Sequence, residues 1–228
     1  MNLEPETLNP MLPKIYPITD TRLSNLSHTD QVERLIRGGA KFIQLREKYN
    51  SPQHFYKQAE ITLTIARGNN VKIIINDRVD IALALKADGV HLGQDDLSPE
   101  YARKILGEKA IIGFSTHNLK QAVEAVKFPI DYVAIGPVFA TKTKENPDKI
   151  IGIEMIKKVR EAIGNFPLVA IGGINSENFW EVLDAGADSV AIISDLLSEA
   201  DKITERLKEF HHKLYNIKNN VRFSQKKL

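Results

Sequence analysis

Two carboxylates stand at comparable places in this chain. The apolar run VKIII (residues 71–75) ends in Asn76 and Asp77, and the run GVHL (89–92) leads through Gly93, Gln94 and Asp95 to Asp96. A continuous β-branched run reads as a strand buried on both faces. Polar residues at its C-terminal end then stand where parallel α/β folds gather their chemistry. Two consecutive strands delivering a carboxylate to one rim suit a hard divalent cation. Mg²⁺ takes oxygen ligands, often one or two carboxylates, and leaves its other positions to water and substrate phosphates. Asp77 and Asp96 are therefore read as metal ligands and the cation as the holder of a diphosphate. Asn76 adds an amide to orient substrate. The plainer readings are an N-cap for Asp77, before a helix near Val79, and a turn residue for Asp96, before Ser98-Pro99. Asp95 is adjacent, and spacing alone leaves it open.

The segment AKFIQLREK (40–48) alternates, with Phe42, Gln44, Arg46 and Lys48 on one face and Ile43 and Leu45 on the other. If that first face lines a barrel, Arg46 offers a planar fork for phosphate oxygens and Lys48 a point charge. The alternative is an inward Arg–Glu pair that only fills the lumen. Burying cations without anions costs several kcal/mol, which favours the first reading. The loop GPVFATKTK (136–144) brings Thr141, Thr143, Lys144 and backbone N–H groups suited to phosphate. Its polar continuation, 145–150, is expected to be mobile and could serve as a lid. Gly172-Gly173 and Ile193-Ser194 follow two later strands, the position at which many barrels hold a phosphate. Ser115-Thr116-His117 ends another strand, and His117 is either a base or a structural hydrogen-bonder. His91 reads as a core residue, and Phe179 and Trp180 as helix packing.

These residues need a scaffold that aligns many strand ends. Strands are expected near 14–20, 40–48, 71–76, 88–92, 110–115, 131–135, 167–171 and 189–193, with helices near 29–37, 52–67, 78–86, 98–107, 118–127, 151–163, 176–185 and from 195. Strict alternation implies right-handed crossovers and a parallel sheet. Eight units close into a single (β/α)8 TIM barrel. Residues 1–13 read as a flexible leader, 14–210 as the catalytic barrel and 211–228 as a basic tail. The 228 residues, net charge of +2, 43% hydrophobic and 26% charged content are those of one ordinary globular domain, with too little positive charge to argue for nucleic acid. Cysteine is absent, which excludes disulfides, thiolate catalysis and Cys-ligated zinc. No apolar run approaches the roughly 18 residues of a membrane span, and no signal peptide is evident. A cytoplasmic protein is the expectation.

The phrases YPITD, FIQLREK, INDRVDIAL, DGVHLGQDD, GFSTHN, DYVAIGPVFATKTK, VAIGGI and GADSVAIIS occur in that order over about residues 15–200. Together they closely resemble the thiamine-phosphate synthase (thiamin-phosphate pyrophosphorylase) family. The resemblance implies a TIM-barrel transferase. Its substrates would be 4-amino-2-methyl-5-hydroxymethylpyrimidine diphosphate and a thiazole phosphate. It implies that the run Gln44, Leu45, Arg46, Glu47 and Lys48, with Asn76, Ser115 and Lys144, binds the pyrimidine substrate. Thr141, Lys142, Thr143, Gly173, Ile193 and Ser194 would serve the thiazole phosphate pocket and its loop. Mg²⁺ would sit on Asp77 and Asp96. Arg46, Lys48, Ser115 and Lys144 would be catalytic, in a dissociative reaction that needs no protein nucleophile. Ala140 stands where many members have Pro, and Lys142 adds a cation between the two threonines. The thiazole tautomerase of the same fold is the alternative; it would rely on a histidine near His117 and need no diphosphate–metal site. A sensor without catalysis fits less well with an intact acidic pair. A homo-oligomer is left open.

Overall fold

A computed structural model describes residues 12–141, 143 and 148–225. In chain order the elements are β1 (Ile15–Thr19), α1 (Thr21–Ser24), α2 (His28–Arg37), β2 (Phe42–Leu45), α3 (Pro52–Gly68), β3 (Lys72–Asn76), α4 (Val79–Leu85), β4 (Gly89–Leu92), α5 (Pro99–Leu106), β5 (Ile111–Thr116), α6 (Leu119–Ala125), β6 (Tyr132–Ile135), α7 (Ile153–Ile163), β7 (Leu168–Ile171), α8 (Phe179–Asp184), β8 (Ser189–Ile192), α9 (Ser194–Leu197) and α10 (Ile203–Gln225). The eight strands are parallel and close on themselves, β1 pairing with β2 on one side and with β8 on the other. The fold is the single (β/α)8 barrel expected.

The strands are mostly apolar because both their faces are covered. Ile43, Leu45, Ile73, Ile75, Val90, Leu92, Val133 and Ile135 point outward into the layer between barrel and helices. Tyr16, Ile18, Phe42, Ile74, Tyr132, Ala134, Val169 and Ala191 fill the lumen. Leu12 joins that inner cluster from below and is only 6% exposed, so packing begins inside the expected leader. The rest of the leader, residues 1–11, lies outside the described residues.

A repeated clamp ties the N-terminal ends of the strands together. Asp88, Asp131 and Asp188 each stand just before β4, β6 and β8. Their carboxylates accept the N–H of Ile73, Ile112 and Leu168 on the preceding strand, at 2.8, 2.7 and 2.9 Å. Arg103 of α5 donates to Asp131 at 2.7 Å, and Arg160 of α7 to Asp188 at 2.6 Å.

Two helical features differ from expectation. The single turn α1 was too short to leave a periodic signal. It forms because Asp20 caps it, accepting N–H bonds from Arg22 and Leu23 at 3.1 and 3.2 Å, and because Asn25 ends it in the left-handed region. The last helix is broken: α9 stops at Leu197, Glu199 is extended, and a short 3-10 turn precedes α10. Arg206 of α10 holds the break, donating to the Asp195 carbonyl and pairing with Glu199. The boundary expected at 210 falls inside α10, which runs on unbroken with Leu214 buried. Among the described residues no helix is long and apolar enough to cross a membrane.

Candidate active site

A cavity of about 550 Å³ opens at the C-terminal end of the barrel. Gln44, Arg46, Lys48, Asn76, Asp77, Asp96, Ser115, Thr141, Thr143, Gly173, Ile193 and Ser194 all line it. Alternation along β2 brings Gln44, Arg46 and Lys48 there together, as the sequence pattern implies. The same alternation removes two residues from the expected set. Leu45 is fully buried in the outer apolar layer. Glu47 turns into a separate small recess against His28. There it accepts bonds from Thr21 Oγ1, the N–H groups of Tyr49 and Asn50, and the Asn50 side chain. Burial alone would raise its carboxyl; His28 and these hydrogen bonds outweigh it and hold the group well below the usual carboxylate range. Glu47 is a fixed structural anion, and neither it nor Leu45 lines the cavity. Lys142 and Lys144 lie outside the described residues.

The acidic end is crowded. Asp77 closes β3 with a left-handed backbone, φ 63°, and its N–H donates to the His91 carbonyl at 2.8 Å. It is not a helix cap: Arg78 is the cap of α4, and no side-chain bond accompanies it. Lys48 Nζ lies on Asp77 Oδ2. Burial pushes the Asp77 carboxyl up; Lys48 holds it down, the Asp96 carboxylate pushes it up again, and it comes to about 6. Asp96 spends one oxygen on the turn, Oδ2 accepting the Gly93 N–H at 2.7 Å, so the turn reading is true of it in part. Asp95, next to it, is exposed but also lines the cavity. Beside Asp77, the buried Asn76 Nδ2 has no hydrogen-bond partner among the described residues.

Among the described residues no three His, Cys, Asp or Glu side chains gather into a metal cage. Two adjacent carboxylates and a waiting amide donor do fit Mg²⁺, a cation whose other ligands come from water and phosphate oxygens. The Asp96 carboxylate adds to burial in raising Asp77, and that is a like charge a cation would offset.

Arg46 is not a free cation. It donates to Asp20 Oδ2 at 2.5 Å, and Asp20 is 2% exposed. Asp20 was absent from the sequence-based set, although it ends YPITD as Asp77 ends its own strand. Across the mouth, Gly173 has φ 65°, and a Cβ there would come within 2.5 Å of the Ala140 carbonyl oxygen. Only glycine lets the β7 turn lie so close under the β6 loop. That loop is zipped at both ends. Val138 and Phe139 donate N–H bonds to Ile171 and Gly172, and Ile151 and Gly152 donate to Pro137 and Val138. Thr141 and Thr143 are bonded to each other at its edge, and Ser194 begins the short α9 facing them across the cavity. His117 Nδ1 donates to the Gly136 carbonyl at 2.8 Å. That bond joins the β5 and β6 ends, and His117 also lines the cavity.

A second omission is deeper. Gln44 Nε2 meets Tyr16 Oη at 3.0 Å, Tyr16 Oη meets Tyr132 Oη at 3.1 Å, Tyr132 Oη meets His91 Nδ1 at 2.9 Å, and His91 Nε2 meets Ser115 Oγ at 2.8 Å. Burial depresses His91 to about 4, so the imidazole is neutral at physiological pH. His91 is thus a linked lumen group. Tyr16 and Tyr132 are far apart in the chain, and no local spacing announces them.

Comparison with known proteins gives one consistent result. A family described as Thiamine monophosphate synthase matches residues 15–196. The chain is 48% identical over 189 residues to a thiamine-phosphate synthase of Clostridium novyi (strain NT), covering 82% of this chain and 92% of that one. It is 45% identical to a thiamine-phosphate synthase of Koribacter versatilis (strain Ellin345), covering 82% and 90%. Among solved structures, a thiamine phosphate pyrophosphorylase from Pyrococcus furiosus superposes with a TM-score of 0.80 at 36% identity, covering 90% and 96% of the two chains.

Proposed function

The chain belongs to the thiamine monophosphate synthase family and is a transferase of thiamine biosynthesis; on that premise we propose how its barrel mouth makes thiamine monophosphate. The substrates are 4-amino-2-methyl-5-hydroxymethylpyrimidine diphosphate and a thiazole phosphate, carboxylated or not, and pyrophosphate is released. The observation that carries this reading is the Asp77–Asp96 pair beside Lys48, Arg46 and the unpartnered Asn76 amide. Such a set is suited to a polyanion that arrives with a cation and leaves as pyrophosphate.

Asp77 and Asp96 would hold Mg²⁺, which when bound supplies electrostatic stabilisation of the leaving diphosphate. Lys48, Arg46 and Lys144 add positive charge along the diphosphate oxygens. Asn76 Nδ2 and Gln44 orient the substrate, and Ser115 offers a hydroxyl at the opposite wall. The methylene C–O bond of the pyrimidine substrate breaks with both electrons leaving on pyrophosphate. The electron-rich ring supports the carbon left behind. The thiazole nitrogen then donates its lone pair and forms the new C–N bond. Thr141, Thr143, Gly173, Ile193 and Ser194 hold the thiazole phosphate so that this nitrogen faces the carbon, while Lys142 extends the loop's positive charge. Positioning and charge stabilisation do the catalysis. The cytoplasm is the compartment this reading implies.

The thiazole tautomerase reading has less support. It needs no diphosphate–metal site, yet Arg46, Lys48, Asn76, Asp77 and Asp96 all line the same cavity as His117. The test is pyrophosphate release by the purified protein with both precursors. Release is expected only with both precursors and Mg²⁺, and none after chelation. Full-speed release without divalent ions, or turnover of thiazole alone, would overturn the proposal.

A further inference from the structure

The mechanism above uses Gln44 and Ser115 but not the three groups between them. Tyr16, Tyr132 and His91 cross the lumen from β1, β6 and β4 and are 1%, 0% and 8% exposed. Their neighbours are apolar: Ile18, Phe42, Ile74 and Val169. An apolar filling would close the barrel without their desolvation cost, so their bonds to one another require another account. The space for them is also specific. A Cβ on Gly113 would lie 2.0 Å from the Tyr132 ring and 2.5 Å from His91 Nδ1. Gly113 is the notch that admits the contact.

The chain of bonds has a direction. The Gln44 amide nitrogen can only donate, so Tyr16 Oη accepts from it. The one arrangement that leaves no buried proton of the chain without an acceptor then has Tyr16 donating to Tyr132 and Tyr132 donating to His91 Nδ1. A neutral imidazole that accepts at Nδ1 carries its one proton at Nε2, and donates it to Ser115 Oγ. The Ser115 hydroxyl proton has no place left in the chain and turns into the cavity that Ser115 lines.

We propose that Tyr132, with Tyr16 and His91, is a positioning relay that fixes Ser115 as a hydrogen-bond donor toward the bound pyrimidine diphosphate. This rests on the reading of Ser115 as a substrate contact. The acceptor is a ring nitrogen or a phosphate oxygen. The relay also links the opposite walls of the pocket, since Gln44 and Ser115 are its two ends.

The test is a double-mutant cycle on kcat/KM for the pyrimidine diphosphate with Mg²⁺, using Tyr132→Phe, Ser115→Ala and the double variant. Tyr132→Phe keeps the ring stacked on His91 and removes only the linking oxygen. It should cost roughly tenfold in kcat/KM and little in melting temperature. In the Ser115→Ala background it should cost nothing more, because the group it orients is gone. A full loss persisting in that background, or no loss where Ser115→Ala is impaired, overturns the relay. Tyr16→Phe, one link further away, should repeat the pattern if Tyr132→Phe folds poorly. Nitrogen-15 NMR of the wild type gives a second readout, and a proton found on His91 Nδ1 would refute the direction without reference to activity. Wild-type pyrophosphate release reports on the reaction itself, so failure there is distinct from failure of the relay.

Discussion

At the N-terminal end of the barrel, Asp131 and Asp188 each accept a backbone N–H from the neighbouring strand and a guanidinium from the helix outside. At the C-terminal end the same residue types are set against one another. Asp77 lies beside Asp96, is paired with Lys48, and has its carboxyl pushed up to about 6 by burial and by that second carboxylate. The first arrangement satisfies every charge within the chain and closes the strand ends. The second leaves like charges adjacent and the Asn76 amide without a partner. Stability is concentrated where polar groups are saturated, and chemistry where they are not.

Four measurements would break or sharpen this contrast. Asp77→Asn should give the largest effect. Asn tolerates the left-handed backbone, so the fold should persist, with an unchanged or slightly raised melting temperature. Turnover should fall by at least about a hundredfold, and near-normal turnover would remove the basis for assigning function to that end. Asp188→Ala should do the reverse. Stranding Arg160 and the Leu168 N–H should cost about 2–3 kcal/mol in denaturant unfolding, while kcat/KM stays within about twofold.

The third measurement is pH dependence at the acidic pair. A protonated Asp77 cannot ligate a cation, so protons and Mg²⁺ compete for it. Apparent Mg²⁺ affinity should rise with pH, by close to tenfold per unit below about 6, and level off above about 7. Calorimetric titration across pH 5–8 checks this, and a flat profile would mean that Asp77 is not a ligand. The smallest effect is expected from Ser194→Ala. It should raise KM for the thiazole phosphate by roughly threefold to tenfold and leave KM for the pyrimidine diphosphate nearly unchanged. The opposite pattern would reassign the two halves of the cavity.

The barrel was legible because strands buried on both faces are written as short apolar runs, of which Ile73-Ile74-Ile75 is the plainest. Most of the rim was legible because functional side chains sit at the ends of those runs, as Asp77 and Ser115 do. Leu45 and Glu47 were grouped with their neighbours because a matched phrase does not distinguish the two faces of a strand; the alternation already visible at Phe42, Gln44 and Arg46 does, and it turns both away from the cavity. The Tyr16–Tyr132–His91 relay left no local trace, because barrel closure joins residues more than a hundred positions apart in sequence. Asp20 was missed because its partner, Arg46, lies on the next strand. The break after α9 depends on Arg206 reaching back to Asp195 and Glu199, a tertiary bond that helical periodicity does not encode.

Leu12 has a kinetic consequence. It stoppers the lumen from below, among Tyr16, Phe42 and Ile111. Among the described residues the lumen therefore opens only at the C-terminal mouth, which two reactants must enter and two products must leave. A lingering product would then obstruct both incoming partners, and inhibition by either product would be felt by both substrates.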